Sequence, residues 1–319
     1  MTVQAPLVGI DIGGTKTAAA LVGPDGVVLG RCQAPTPARS GPAVVLDTAA
    51  RLARELLDGA GAGPVGVGTA GTVDPATGTV RYATDSLPGW SGTRVADELR
   101  ERLNRPVRVV NDVNAAALGE SWVGGGRGRP HLLLVAVGTG LGGAMIQSGR
   151  LLTGARGAAG EVGHLPVPGA ERLRCGCGRV GHLEGIASGT GLSAAYALQT
   201  GLEIAGRAVA QRAAAGEPAA LAVVDRAATA LGRALAGLVT VLDPQAVVVA
   251  GGAADTLIPG ARAALTAELP AAWADVPLLP AGLGADAVVV GAARLAGHPD
   301  HGRPADGTPA VVTDERTGT

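Results

Sequence analysis

The chain has 319 residues, 47% of them hydrophobic and 17% charged, so it can bury a large core and divide into two domains. Its formal net charge of -1 excludes the basic surface that nucleic acid or an anionic membrane would need. No apolar run is long enough to span a bilayer, the N-terminus lacks the pattern of a secretory leader, and three cysteines make no disulfide framework, so we predict a cytoplasmic protein.

The first 120 residues alternate between strands and helices. Apolar runs broken by turn residues predict, in chain order, strand 8–11, strand 17–22, strand 27–31, helix 44–57, strand 65–69, helix 94–103, strand 107–110 and helix 115–120. The strand over 107–110 delivers Asn111 and Asp112 at its carboxyl end, where open α/β sheets bind their ligands. Both residues are therefore candidates for a functional site.

The rest of the chain repeats the pattern with which it begins. The predicted elements are strand 132–137, strand 144–147, strand 150–152, helix 205–212, helix 219–242 and strand 247–250. In both halves a strand, a glycine turn, a second strand, a tight turn and a third strand follow one another, which predicts two domains of like topology. The tail over residues 298–319 is rich in Pro, Gly, Asp and Thr and is predicted to be disordered.

Glycine turns at strand ends predict a site for the phosphates of a nucleotide. The candidate residues are Asp11, Gly13, Gly14, Thr15 and Lys16 in the first turn, Gly138, Thr139, Gly140, Gly142 and Gly143 in the second, and Gly251 and Gly252 after strand 247–250. Glycines let backbone N–H groups approach a polyphosphate, the threonines add hydroxyl donors, and the only lysine adds a charge. Asp11 fits an anion site if it holds Mg²⁺ through water. The alternative is tight β-turns without a ligand.

The second turn also matches the dinucleotide-binding pattern G-x-G-x-x-G through Gly138, Gly140 and Gly143, with Glu161 at a tolerable distance for a ribose ligand. That pattern requires a helix directly after the glycines, whereas residues 144–150 are predicted to be strand and turn. A dehydrogenase is therefore disfavoured. The absence of G-x-x-x-x-G-K-[ST] excludes a P-loop.

Five ordered motifs closely resemble those of the ROK family of sugar kinases and related repressors, over residues 7–297. They are GIDIGGTK at 9–16, NDVNAAALGE at 111–120, GTGLGG at 138–143, GEVGH at 160–164 and CGCGRVGHLE at 175–184. The resemblance implies an α/β fold of two actin-like, hexokinase-like lobes of the ribonuclease H type, with a ligand cleft between them. It implies ATP as the nucleotide, a sugar-like substrate and a homodimer or homotetramer.

The resemblance also implies how the chain divides between the two lobes. The first lobe covers residues 1–120 and is rejoined by a C-terminal helix around 285–297. The second lobe covers residues 121–284. The duplicated strand and glycine-turn units agree with two lobes independently of the resemblance.

The resemblance assigns kinase roles to particular residues. Asp112 matches the family's catalytic aspartate, a carboxylate that orients the acceptor hydroxyl and takes its proton during phosphoryl transfer. The alternative role for Asp112 is a helix N-cap. The positions that match the family's sugar contacts are Asn111, Glu161, His164 and Glu184, with Ser86 where the family usually has asparagine. For both glutamates, surface charge is the alternative.

Ser86 bears on the choice of acceptor, because serine reaches less far and offers fewer hydrogen bonds than asparagine. We expect a hexose such as glucose, with an N-acetylhexosamine or a C7 cyclitol of secondary metabolism as alternatives. Functions of a different class are a sugar-sensing repressor and a sugar-binding pseudokinase. The repressors carry an N-terminal DNA-binding segment, for which too little chain precedes Asp11, and every catalytic position of a kinase is filled.

The last two motifs contain four residues that offer ligands for a zinc ion: His164, Cys175, Cys177 and His182. Their spacing suits a structural site closed by a tight loop. The family normally has a third cysteine at the position of His182, and histidine is an adequate fourth ligand. We therefore predict structural Zn²⁺ bound by two cysteines and two histidines, with free thiols beside unrelated histidines as the alternative.

Overall fold

The structure is a computed structural model that describes residues 5–58 and 63–298. The tail predicted to be disordered lies outside the described residues, apart from His298. Of the helices in the described ranges, none is both long enough and apolar enough to cross a membrane.

The first part of the chain forms a five-stranded mixed sheet and its helices. In chain order the elements are β1 Leu7–Ile12, β2 Lys16–Val22, β3 Val28–Pro35, α1 Pro42–Leu57, β4 Val65–Thr69, β5 Thr72–Val73, β6 Val80–Tyr82, α2 Val95–Leu103, β7 Val107–Asn111 and α3 Asp112–Val123. The strand order is β3-β2-β1-β4-β7, with β5 and β6 as a separate hairpin. β1, β4 and β7 are parallel, and Ile12, Thr69 and Asn111 are aligned at their carboxyl ends. This edge of the sheet carries the predicted site.

The second part of the chain repeats this topology. Its elements are β8 Leu132–Val137, β9 Leu141–Gln147, β10 Arg150–Leu152, α4 Leu183–Ala187, α5 Gly189–Thr200, α6 Gly206–Ala214, α7 Pro218–Leu242, β11 Ala246–Ala250, α8 Ala254–Glu268, β12 Leu278–Pro280 and α9 Ala287–Gly297. The strand order is β10-β9-β8-β11-β12, and the succession of antiparallel and parallel pairs is that of the first sheet. The duplication predicted from the glycine turns is therefore confirmed.

The last helix, α9, returns to the first sheet. A Cβ at Gly9 would lie 1.9 Å from the carbonyl oxygen of Val289, and one at Gly66 would lie 1.7 Å from that of Ala292, so only glycine lets β1 and β4 approach α9 this closely. α9 also packs against α3, and a buried apolar cluster joins both helices to β8, β9 and β11. The two helices thus lie where the two sheets come together.

Helices α4, α5 and α8 were not predicted from the sequence. α5 begins at Gly189 and includes Gly191, and α8 contains Pro259, so local propensity argues against both helices. α5 nevertheless has a polar cap, since the Ser188 hydroxyl accepts a hydrogen bond from the N–H of Gly191 at 3.0 Å. Packing of their buried faces into the second core outweighs the unfavourable propensity.

Candidate active site

Asp112 is the first residue of α3 and is held in place by its neighbour. The side-chain oxygen of Asn111 accepts hydrogen bonds from the N–H groups of Val113 and Asn114, at 2.8 and 3.2 Å, and its amide group donates to the carbonyl oxygen of Gly71 at 3.0 Å. Asn111, not Asp112, is therefore the N-cap. The helix begins three residues earlier than predicted because this cap lies directly at the end of β7.

The carboxyl of Asp112 has an unusual affinity for protons. Burial raises its pKa to about 6, the charge of Glu161 also raises it, and hydrogen bonds from the backbone and from Asn111 lower it. Burial likewise raises the pKa of Asp11 to about 7, to which the charge of Asp112 adds while Lys16 opposes it. The charge of Asp112 acts on Asp11, so the first glycine turn, which follows Asp11, lies next to Asp112.

The residues expected to contact the acceptor come from several separate segments. Thr72, in the small hairpin, donates a hydrogen bond from its hydroxyl to Glu161 Oε1 at 3.3 Å. Glu161 Oε2 lies 3.8 Å from His164 Nε2. The charge of Glu161 also acts on Asp112. The predicted site residues Asp112, Glu161 and His164 therefore lie close together. Glu161 is partly buried, and its side chain is hydrogen-bonded to Thr72.

Ser86 lies in the exposed loop between β6 and α2. Its hydroxyl is 3.1 Å from that of Thr84, and its carbonyl oxygen is 2.8 Å from where a Cβ of Gly14 would lie. The loop thus rests on the first glycine turn. Behind it, the buried ring N–H of Trp90 donates to the hydroxyl of Thr69 at 3.0 Å, which fixes the loop to the end of β4.

Glu184, at the start of α4, bonds to two different loops. Its Oε2 accepts from the N–H of Leu141 at 3.0 Å, and its Oε1 accepts from the N–H of Gly176 at 2.7 Å and from Cys175 Sγ at 3.1 Å. Burial acts to raise its pKa, but these hydrogen bonds and the charge of His164 hold the pKa below its usual value. Glu184 therefore ties the second glycine turn to the cysteine-rich loop.

The four predicted zinc ligands converge. The ligand atoms of His164, Cys175, Cys177 and His182 all lie within 4.8 Å of one another. Nδ1 of His164 is 3.4 Å from Cys175 Sγ, and Nδ1 of His182 is 3.4 Å from Cys177 Sγ. Tetrahedral zinc with ordinary Zn–S and Zn–N bonds separates such atoms by about 3.6 Å. The donor set and its geometry therefore fit Zn²⁺.

A cavity of about 770 Å³ opens beside the second glycine turn and includes Gly138, Thr139 and Gly252 in its lining. Sequence reasoning missed the rest of its wall, which includes Gly189, Thr190, Arg207, Gln211, Asp255 and Thr256. The wall is made of small residues and isolated polar side chains on α5, α6 and α8, so no motif marks it. A cavity of this volume is large enough to take a nucleoside.

The second glycine turn is shorter than predicted. β9 begins at Leu141, so Gly142 and Gly143 lie in the strand, where they pair with Ala136 and Val135. Their missing side chains leave room for neighbouring elements: a Cβ at Gly143 would lie 2.9 Å from the carbonyl oxygen of Gly160. Because a strand and not a helix follows the turn, the dinucleotide-binding alternative is excluded.

Comparison with known proteins gives consistent matches over nearly the whole chain. A family model described as the ROK family matches residues 7–298. The chain is 35% identical over 260 residues to a glucokinase of Thermotoga maritima, which covers 77% of this chain and 81% of the relative. It is 36% identical over 289 residues to an N-acetylmannosamine kinase of Shigella boydii, covering 90% and 97% of the two chains.

A solved structure gives the same result. The crystal structure of a ROK family glucokinase from Streptomyces griseus in complex with glucose and AMPPNP matches with a TM-score of 0.76 and 33% identity, over 91% of this chain and 99% of that one. The fold is thus the two-lobed, actin-like and hexokinase-like α/β fold, and the predicted fold class is confirmed.

Proposed function

Because the chain belongs to the ROK family, we propose that it is an ATP-dependent kinase that transfers the γ-phosphoryl group to a hydroxyl of a hexose or hexose-like sugar. One observation carries the proposal: Asp112 begins α3 directly after the carboxyl end of β7, next to Glu161 and Asp11, and burial raises its pKa to about 6. A base of this pKa is largely ionised at neutral pH and able to accept a proton.

In this mechanism Asp112 orients the acceptor hydroxyl and takes its proton as the acceptor oxygen bonds to the γ-phosphorus. The bond from that phosphorus to the β,γ-bridging oxygen breaks, and ADP leaves with the electron pair. Asn111, with Glu161 and His164, supplies hydrogen-bonding groups for the other hydroxyls of the acceptor, and the Ser86 loop bounds the site.

The nucleotide would bind at the two glycine turns. The cavity beside Gly138 and Thr139 takes the nucleoside, and the two glycine turns offer N–H groups to the phosphates. Mg²⁺, when bound, neutralises charge on the phosphates, and Asp11 is the residue that would hold it through water. Ionisation of Asp11 at neutral pH would be favoured by that cation.

Zn²⁺ serves a structural role in this proposal. The four residues would supply all the ligands of a closed site, which leaves no open position for a substrate. Nδ1 of His164 would bind the metal, and its Nε2 faces Glu161. The orientation of His164, a proposed sugar contact, would therefore be fixed by the metal site. The protein is further expected to act in the cytoplasm as a homodimer or homotetramer, with the lobes dividing near residues 120 and 284.

Among hexose and hexose-like acceptors, glucose is the first candidate because the relatives include glucokinases. The N-acetylmannosamine kinase among the relatives supports an N-acetylhexosamine as the second candidate. Ser86 is shorter than the asparagine usual in the family and leaves more room at the acceptor site. A C7 cyclitol is therefore the third candidate.

ADP release tests the proposal directly. Purified protein with Mg-ATP is offered glucose, mannose, fructose, N-acetylglucosamine, N-acetylmannosamine and a C7 cyclitol, each against a reaction without acceptor. We expect one acceptor to raise ADP release far above the rate without acceptor. Release that no acceptor stimulates, from protein that still binds ATP, would favour the pseudokinase.

A further inference from the structure

The helix that begins with Asp112 has a second carboxylate near its other end. Glu120 is fully buried, with 0% of its surface exposed. Its Oε2 accepts hydrogen bonds from the N–H groups of Gly125 and Gly282, at 2.7 and 2.8 Å, and its Oε1 accepts from the N–H of Leu283 at 2.9 Å. The proposed chemistry uses neither this carboxylate nor its partners.

The three N–H groups belong to the two connections between the halves of the molecule. Residues 124–131 lead from α3 into β8 of the second sheet, and residues 281–286 lead from β12 back to α9 on the first sheet. One side chain on α3 thus binds both connections. The backbone of α3 adds to this, since the carbonyl oxygen of Glu120 accepts from the N–H groups of Gly124 and Gly126 at 3.2 and 3.0 Å.

The two connections also touch each other at this point. A Cβ at Gly125 would lie 2.4 Å from the carbonyl oxygen of Pro280, and one at Gly282 would lie 3.0 Å from the nitrogen of Gly125. Such close contact leaves no room for a side chain on either backbone. The junction therefore has a single tight arrangement, which the carboxylate of Glu120 holds from inside.

This junction connects the two sides of the active site. Asp112 lies eight residues from Glu120 on the same helix, about 12 Å along its axis. The first connection enters β8, whose carboxyl end leads directly to Gly138 and the nucleotide cavity. The position of Asp112 relative to Gly138 therefore depends on how the connections are held against α3.

We propose that Glu120 is a positioning residue. It fixes both connections between the lobes and so aligns Asp112 with Gly138 and the second glycine turn when the cleft closes. A carboxylate suits this role because it accepts at both oxygens. Glutamine would present an N–H₂ group to backbone N–H donors, leaving at least one buried donor without an acceptor. The kinetic part of the proposal rests on the proposed kinase function, whereas the part concerning closure does not.

The test compares Glu120→Gln with Leu52→Ala, a core substitution in α1 that touches neither connection. Both are measured below their melting temperatures for kcat, for KM of Mg-ATP and acceptor, and for the change in radius of gyration on adding Mg-AMPPNP and glucose. We expect Glu120→Gln to lower kcat by about tenfold or more, with a smaller change in either KM, and to reduce the compaction. Leu52→Ala should lose stability but keep kcat and compaction.

A second variant covers the case in which Glu120→Gln does not fold. Gly125→Ala keeps Glu120 but pushes the connections apart, and it should lower kcat and compaction in the same way. The proposal is overturned if Glu120→Gln or, where that variant does not fold, Gly125→Ala matches Leu52→Ala in kcat and compaction. It is also overturned if the wild-type protein does not compact. Wild-type protein that compacts without turning over any acceptor would count against the kinase function, while the comparison of compaction still decides the role of Glu120.

Discussion

At the residue scale, the pKa of Asp112 sets the pH range in which the proposed kinase is active. Burial raises the pKa of this carboxyl to about 6, so it is ionised at pH 7 and becomes protonated as the pH falls through 6. A protonated Asp112 cannot accept the hydroxyl proton. The same burial makes the ionised form less stable in the folded protein, so the stability contributed by the protonated form is lost as pH rises from about 4 through 6.

This gives a pH prediction. We expect kcat/KM for the acceptor to fall about tenfold for each pH unit below 6, while folding stability does not fall over the same range. Initial rates between pH 5 and 8, with melting temperatures recorded in the same buffers, separate the two effects. A rate that stays level down to pH 5 would mean that Asp112 is not the titrating base.

Some of these residues could be predicted from the sequence, and others could not. Asn111 and Asp112 were identifiable because polar residues directly follow an apolar strand. Glu120 was not, since its partners Gly282 and Leu283 are more than 150 positions away and nothing local marks its burial. The contacts of Asn111 were likewise hidden: its bond to Gly71 depends on the register between β4 and β7.

At the scale of elements, the cysteine-rich loop is expected to hold one zinc ion per chain and to act on the acceptor site through His164. Cys177→Ser removes a ligand whose thiol lies 3.4 Å from His182 Nδ1. We expect it to lose the metal and to raise KM for the acceptor by about ten- to hundredfold, because His164 is no longer fixed. Elemental analysis and steady-state kinetics check both effects.

Cys32→Ser is the matched control. Cys32 lies in β3, where its thiol donates to the carbonyl oxygen of Leu52 at 3.2 Å, far along the chain from the metal ligands. It should keep both zinc and KM. Zinc-free wild-type protein of normal stability and activity would contradict the site.

The turn after β11 contains two adjacent glycines whose surroundings differ, which allows a further prediction. Gly251 has a φ of 95°, and its Cβ would lie 2.3 Å from the carbonyl oxygen of Val137, whereas a Cβ at Gly252 meets nothing within 4 Å. Gly251→Ala should cost about 1–3 kcal/mol and raise KM for Mg-ATP, because the end of β8 must move. Gly252→Ala should leave the stability nearly unchanged, although its Cβ would enter the nucleotide cavity that Gly252 lines. Thermal melts compare the two variants, and equal losses of stability would refute the argument.

The elements themselves were predictable where periodicity is strong. The repeated strand and glycine-turn units predicted two like sheets, and both appear with the same strand order. α5 and α8 were missed because glycine and proline within them oppose helix formation, and packing supplies what propensity lacks. The nucleotide cavity was missed with them, since these helices form part of its wall.

At the scale of the whole molecule, two sheets of equal topology meet at α3 and α9. α3 carries the proposed base at one end and the buried junction of both connections at the other. Closing the lobes around a sugar would therefore bring Asp112 toward the phosphate-binding turn and exclude water, which competes with the sugar as a nucleophile.

The most direct measurement is turnover by Asp112→Asn with the best acceptor and Mg-ATP, beside Asp225→Asn, an exposed carboxylate on α7. The account predicts that Asp112→Asn lowers kcat by about 10²–10⁴-fold and leaves the dissociation constant of Mg-ATP nearly unchanged, while Asp225→Asn behaves as wild type. If Asp112→Asn, folded and binding nucleotide, keeps turnover close to that of the wild type, Asp112 is not the base and the proposed mechanism is wrong.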